Sequence, residues 1–361
     1  MRQTDNNIDA LKGIAMMGII LVHSRIVFPN PFGILNCVVQ NGARGVQLMF
    51  IINGYLIFKS LDGIFSKGMP LKNWYMRKAL RILPLYWIFT ILHLIVFGRG
   101  ERFYLGPLSE VSWLNIACNL LCIHGFFPYY INSINVNWFI ADLVIWYLIA
   151  PFVYKKFNSL QKIVSGLLIM VPVVYGLLIV LYKIPIISSE PIWKDYLFCL
   201  SFLPEFPVIL LGGIIFWLEK EKRLNMIDKR SVYSGLFFAI AGMSLLTIGS
   251  DKFFLFSDIF SFSICLAIVF IVQLEAPIRF LTNRVFTTFG KHSYGIYLSH
   301  IFVISLVWKI MRDVFSGSMI GQIIVYCFLC MSSLVVGMSV EKIYGTVKRL
   351  LVKQIKSKND K

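Results

Sequence analysis

Charge is what this chain has least of. Charged residues fill 15% of its 361 positions, and Asp and Glu number only 18 against 35 Lys and Arg. A soluble domain carries about 25% charged residues and an apolar share near one half. Here the apolar share is 58% and the mean hydropathy +0.74, which excludes an ordinary soluble domain. Cysteine is no scaffold either: there are seven, an odd number, and they sit mostly in apolar stretches. Cys327 and Cys330 lie three positions apart inside an apolar run with no histidine near, so no zinc or disulfide framework is expected, and no metal. The first apolar run lacks a small-residue cleavage site and further runs follow it, which argues against a cleaved signal peptide. No repeat, low-complexity linker or separate soluble domain is visible.

What the chain has instead is long hydrophobic runs. Ten segments have the roughly 20-residue length that crosses hydrocarbon, near 8–28, 42–60, 79–98, 136–155, 160–182, 196–218, 231–250, 255–275, 293–311 and 318–341. An eleventh stretch, 111–127, is shorter and broken by Asn115, Asn119 and His124. The net charge of +17 invites a nucleic-acid reading, yet the basic residues lie between apolar runs rather than on a compact domain. If 111–127 stays on the outer side as a re-entrant or interfacial segment, 26 of the 35 Lys and Arg fall on one side, as the positive-inside rule requires. The sequence therefore predicts an all-α integral membrane protein with about ten spans and both termini cytoplasmic. Residues 1–341 form the polytopic domain, and 342–361 form a basic cytoplasmic tail, read as a helix drawn to anionic lipid.

Ionisable and polar groups inside such runs are costly and point to function. In the first run, IDALKGIAMMGIILVHSRIVF, Lys12 and His23 are eleven residues apart. That is three turns on one face, roughly 16 Å along the axis. Lys12 snorkelling to headgroups is the plain alternative. Arg77 and Arg81, with Lys78 beside them, stand four apart at the cytoplasmic entrance of the third run. Two guanidiniums there suit bidentate phosphate binding, or serve simply as inside anchors. Asn53 and Gly54 interrupt the second run with a polar group and a packing notch. Asp142 lies at a depth matching His23 and is a candidate orienting partner for that imidazole, or a counter-charge for Arg25 or Arg44. Glu205, between Pro204 and Pro207, sits where a broken backbone ladder implies a cavity. Ser293, Tyr297 and His300, spaced by four and three, share one face of the ninth run, which as a bare pattern is also a polar helix seam.

Taken together and in order, these elements resemble the membrane-bound acyltransferase 3 family over most of the chain, from Ile8 to about His300. The family's basic residue, ten positions and histidine appear as Lys12 and His23, with Lys in place of the usual Arg. Its paired arginines before Pro-Leu-Tyr-Trp appear as Arg77 and Arg81 before Pro84, Leu85, Tyr86 and Trp87. Its Ser-Gly-Tyr-Leu element is Asn53, Gly54, Tyr55 and Leu56. Its Trp-to-Pro helix is matched by Trp138 and Pro151, its Pro-Glu-Phe and later Gly by Pro204, Glu205, Phe206 and Gly212. The final signature stands as Ser293, Tyr294, Gly295, Tyr297, Leu298 and His300.

The resemblance implies transfer of an acyl group, acetyl by default, from cytoplasmic acyl-CoA to a hydroxyl of a glycan or lipid-linked saccharide, in a bacterial cytoplasmic membrane. It implies His23 and Asp142 as catalytic residues, with Lys12, Arg77, Lys78 and Arg81 on the donor. Asn53, Tyr55, Trp138, Glu205, Ser293, Tyr297 and His300 are expected to line the substrate cavity. No stretch reads as an appended hydrolase-like domain, so transfer is expected to finish within the membrane domain or on a partner. Two rivals remain: a transporter of glycan intermediates, for which broken helices and buried charges are equally natural, and a scaffold subunit with a decayed site.

Overall fold

The structure, a computed structural model, describes residues 3–27, 36–100, 110–135, 137–224, 228–249, 255–311 and 318–359. Every regular element among them is helical. In chain order these are α1 (Gln3–His23), α2 (Asn36–Asn41), α3 (Gly45–Phe65), α4 (Leu71–Phe97), α5 (Trp113–Leu120), α6 (Trp138–Lys156), α7 (Leu160–Tyr182) and α8 (Pro185–Ser188). They continue as α9 (Pro191–Asp195), α10 (Phe202–Lys220), α11 (Lys229–Gly249), α12 (Leu255–Glu275), α13 (Arg284–Lys291), α14 (Ser293–Met311) and α15 (Met319–Asn359).

Each of the ten apolar runs falls on one of these helices. Among the described residues, six stretches are long and apolar enough to cross a membrane: Asn36–Phe65, Leu71–Phe97, Trp138–Lys156, Leu160–Tyr182, Pro191–Lys220 and Met319–Thr346. Ile259–Glu275 and Ser293–Trp308 are shorter apolar helices. This is a multi-pass membrane architecture. The stretch 111–127 forms only the eight-residue α5, about 12 Å long at 1.5 Å per residue, capped by Ser112, whose hydroxyl accepts from the Asn115 amide. Cys122 then takes a left-handed backbone (φ 58°) and a turn at His124–Phe126 ends the segment, which is too short to cross. Its interrupting residues Asn115, Asn119 and His124 all face inward and are fully buried. Asn119 bonds Asn115, and the Tyr86 hydroxyl donates to the Asn119 carbonyl, so the polar groups tie the segment to α4.

Helix α1 is the centre of the bundle. It packs against α3, α12, α13, α14 and α15, and Ala10, Leu11, Ala15, Met16, Ile19 and Ile20 are shut away from the surface. Because protein surrounds it, α1 can carry polar groups that a lipid-facing helix could not. Its neighbour α3 meets α10 at very short range. A Cβ placed on Gly54 would stand 2.1 Å from the Ile209 carbonyl oxygen, and one on Gly212 would stand 2.0 Å from that of Ile51. Glycine at both positions is what lets the two backbones approach.

Pro204 and Pro207 lie midway along the Pro191–Lys220 stretch, and the helix ladder is broken just before them. A π-helical turn at Tyr196–Leu200 breaks at Ser201, and α10 restarts at Phe202. Pro204 therefore lies in the first turn, where its missing N–H would have no helical partner anyway. At the opposite end of α10 the Leu160 amide donates to Glu221 at 3.0 Å. That bond, with Arg223 alongside, holds the Glu221 carboxyl below the usual carboxylate range. The basic tail continues α15 without a break to Asn359.

Candidate functional site

Two cavities lie along α1. The inner one is small, about 50 Å³, and Lys12, Asn53, Arg81, Ser293, Tyr294 and Tyr297 are among its lining residues. Five separate helix segments of the sequence thus contribute to one pocket: α1, α3, α4, α6 and α14. It is electropositive, since among the described residues the only carboxylate bonded to its two cations is Asp9, 3.3 Å from the Lys12 ammonium. Arg77 and Arg81 form no ion pair among the described residues. Arg81 lines the pocket, and Arg77, one turn earlier, is exposed outside it. Lys78 is turned the other way, with its ammonium 5.3 Å from the Trp74 ring centre and 5.2 Å from that of Tyr147, beside an apolar groove between α4 and α6.

The outer cavity, about 300 Å³, opens at the far end of α1, and His23 forms part of its wall. Gln40, Arg44, Gln47, Asn132 and Trp138 are also in that wall. Gln47 is fixed from behind: its side-chain amide donates to Glu205 at 2.6 Å. The two cavities share no lining residue among the described residues.

Between them runs a file of side chains on α14. Ser293 and Tyr297 line the inner pocket, and the Tyr297 ring centre is 5.5 Å from that of His300. The His300 ring in turn lies 5.2 Å from that of His23, tilted by 49°. His300 Nδ1 is 2.5 Å from the Tyr297 carbonyl oxygen, an acceptor only, so Nδ1 carries the hydrogen and Nε2 keeps a lone pair. That buried Nε2 has no hydrogen-bond partner among the described residues. Packed against Tyr297 in the wall of the inner pocket is Phe139 of α6, ring centres 5.1 Å apart. The start of α14 is held by Glu341 of α15, which accepts from the Gly295 amide at 2.9 Å and pairs with His292 at 2.6 Å. Tyr294 donates to the Ile82 carbonyl at 2.7 Å and fixes α14 against α4.

An acyltransferase domain profile matches residues 5–342, nearly the whole chain. The chain belongs to the acyltransferase 3 family. Among curated proteins it is similar to the O-acetyltransferase OatA of Staphylococcus aureus, in strains NCTC 8325 / PS 47, COL and MRSA252, each 24% identical over 348 residues. The alignment covers 89% of this chain and 53% of each relative, so the chain spans about half the length of the proteins it matches. No solved structure matches.

For this member of the family, the structure places seven of the thirteen sequence candidates on the linings of the two cavities and leaves Arg77, Lys78, Tyr55, Asp142, Glu205 and His300 off both. Asp142 is fully buried on α6, and neither carboxylate oxygen makes a hydrogen bond, to His23 or to any other described group. It faces the turn at Gly125, where an added Cβ would come 3.7 Å from Asp142 Oδ1, while His23 packs against His300. Matched depth in two helices does not fix azimuth, which is why that pairing fails. Tyr55 lines neither cavity. Its hydroxyl donates to Glu219 at 2.7 Å and accepts from Lys59 at 2.6 Å. Beside that cluster, Asp62 pairs with Lys220 and accepts from Tyr154. Glu205 supports the outer cavity through Gln47 without lining it.

Sequence reasoning missed Gln47 and Tyr294 as site residues and weighed Arg44 only as a counter-charge. Arg44 and Gln47 stand three apart at the mouth of the second run, a same-face spacing that would have signalled a shared wall. Tyr294 stood inside the Ser293-to-His300 signature without a role. The contact of His300 with His23 carries no sequence signal, because it depends on how α1 and α14 cross.

Proposed function

We propose that this acyltransferase moves an acyl group, acetyl by default, from cytoplasmic acyl-CoA to a hydroxyl of a glycan or lipid-linked saccharide. The family membership and the likeness to an O-acetyltransferase support the acyl chemistry. The reading places ten crossings and both termini on the cytoplasmic side of a bacterial cytoplasmic membrane, because that arrangement puts most of the basic residues inside. Arg77 and Arg81, free of carboxylates, suit the phosphates of coenzyme A, and Lys12 extends the positive surface into the inner pocket. That pocket fits the donor only in part. Its 50 Å³ holds a few waters at most, so the thioester arm can enter only when side chains between the two cavities give way.

The observation that carries the proposal is the position of His23. It ends α1 on the wall of a polar cavity, three turns from a cationic pocket on the same helix, with a second imidazole against its ring. As general base, His23 takes the proton of the acceptor hydroxyl as that oxygen attacks the thioester carbonyl. The C–S bond then breaks and coenzyme A leaves as the thiol after protonation. As nucleophile, the imidazole instead carries the acyl group briefly before the hydroxyl displaces it. Either route needs the ring uncharged and mobile to a proton, which imidazole provides near neutral pH.

The test is purified protein incubated with radiolabelled acetyl-CoA and a saccharide acceptor. Thiol release with label transfer is expected for the native chain and absent for His23→Ala, with the variant still inserted and folded. Undiminished transfer by His23→Ala overturns the assignment. A glycan transporter is not favoured, since the family membership is one of acyl transfer.

A further inference from the structure

The outer cavity has a sign of charge. Of the charged residues, Arg44 alone lines it among the described residues, and no carboxylate does. Arg44 is half-buried, sits 6.0 Å from the centre of the Phe262 ring and makes no ion pair among the described residues. The carboxylate behind this wall, Glu205, is fully buried and held by Gln47 rather than by Arg44. Around the guanidinium stand the amides of Gln40, Gln47 and Asn132 and the indole of Trp138, a surface suited to sugar hydroxyls and a sugar face. At about 300 Å³ the space is at the small end of ligand pockets, enough for one saccharide unit.

We infer that the acceptor entering this cavity is an anionic saccharide, its carboxylate or phosphate held by Arg44 while a neighbouring hydroxyl faces His23. The inference rests on the acyl-transfer reading for the identity of the occupant, but the charge preference is measurable without turnover. A half-buried guanidinium that makes no ion pair among the described residues, and meets Glu205 only through a longer-range Coulombic attraction, gains more from an anion than from a neutral hydroxyl, because the charge-assisted bond is the stronger one. A neutral acceptor would leave that cation facing only dipoles.

The experiment uses the full chain in phosphatidylcholine nanodiscs and three probes that differ only at carbon 6: methyl β-glucoside, methyl β-glucuronide and methyl β-glucoside 6-phosphate. Binding is measured by calorimetric titration for the native chain, Arg44→Gln and Arg44→Lys. At least one charged probe should bind about tenfold tighter than the neutral one, the scale of one charge-assisted hydrogen bond. Tighter glucuronide alone assigns a carboxylate, and tighter 6-phosphate alone assigns a phosphate. Arg44→Gln should erase the preference and Arg44→Lys should keep part of it. Equal binding of all three probes by the native chain, or a preference untouched in Arg44→Gln, overturns the inference. Should Arg44→Gln not fold, rising salt must weaken only the charged probes in the native chain, and salt-independent binding overturns the inference. Acetyl-CoA cleavage with a preference for the neutral probe would sink this inference and leave acyl transfer standing. Anion preference with no cleavage would do the reverse.

Discussion

His300 stands with its ring centre 5.2 Å from that of His23, and its Nδ1–H is committed to the Tyr297 carbonyl. Two imidazoles in one buried site cannot both hold a proton cheaply, since like charges at this range repel. The pair is therefore suited to share a single proton, with His300 Nε2 as its second resting place. His300→Ala should lower kcat by about 10² to 10⁴, the usual worth of acid–base assistance, with the KM for acetyl-CoA little changed. The double variant with His23→Ala should be scarcely worse than His23→Ala alone, as expected of groups acting as a unit. Additive losses in steady-state kinetics would separate the two rings functionally.

Helix-scale features were legible in the sequence because they follow from length and hydropathy. All ten expected runs fall on helices, of which six stretches among the described residues are long and apolar enough to cross a membrane, and the short, polar-broken stretch 111–127 gives only the eight-residue α5. Spacing within one helix was equally readable, so Lys12 with His23, and Ser293 with Tyr297 and His300, do face inward together. Relations between helices were not. The sequence gives depth along a helix but not the rotation of one helix against another, so the expected pairing of Asp142 with His23 is not seen. Tyr55 looked like cavity lining because the ion pair that claims it, Lys59 with Glu219, spans 160 residues.

The paired arginines divide their labour. Arg81 lines the inner pocket, whereas Arg77 is exposed outside it. Arg81→Ala should raise the KM for acetyl-CoA by about 10- to 100-fold, the cost of a lost charge-assisted bond, and Arg77→Ala by clearly less. Both guanidiniums are exposed, so the contribution of each should fade with salt, with that of Arg81 remaining the larger because it lines the pocket. Donor KM measured at two ionic strengths decides the point. Equal effects of the two variants at both would deny the pocket any special part in donor binding.

The α3–α10 contact should be the least forgiving part of the fold. A methyl on Gly212 would stand 2.0 Å from the Ile51 carbonyl oxygen and 2.5 Å from the Tyr55 amide nitrogen, and backbone atoms cannot rotate aside. Gly212→Ala should cost about 1–3 kcal/mol by overpacking, seen as a lower Tm in detergent. Gly176 of α7 is the control, since an added Cβ meets nothing within 4 Å there. Gly176→Ala should be neutral or stabilising by about 0.5–1 kcal/mol, because alanine is the better helix former. Similar Tm shifts for both variants would remove the packing argument.

Acyl length should be set by Phe139 and Tyr297. Their rings pack against each other in the wall of the inner pocket, centres 5.1 Å apart, and its 50 Å³ leaves space for little beyond an acetyl methyl. Tyr297 touches His300 on its other side, so shrinking it would disturb the imidazole pair, whereas Phe139 leans on Phe50, whose ring in turn meets Trp138. Phe139 is the safer residue to change. Phe139→Leu removes aromatic bulk and keeps the wall apolar, so a longer acyl chain gains room without a new polar contact. The kcat/KM ratio of butyryl-CoA to acetyl-CoA should rise by about 10- to 100-fold, the range that a methylene or two commands in a tight apolar pocket. The rise should come through butyryl-CoA, with acetyl transfer falling less than tenfold. If both donors lose activity in parallel and the ratio stays at its native value, the restriction on chain length lies elsewhere along the donor's path.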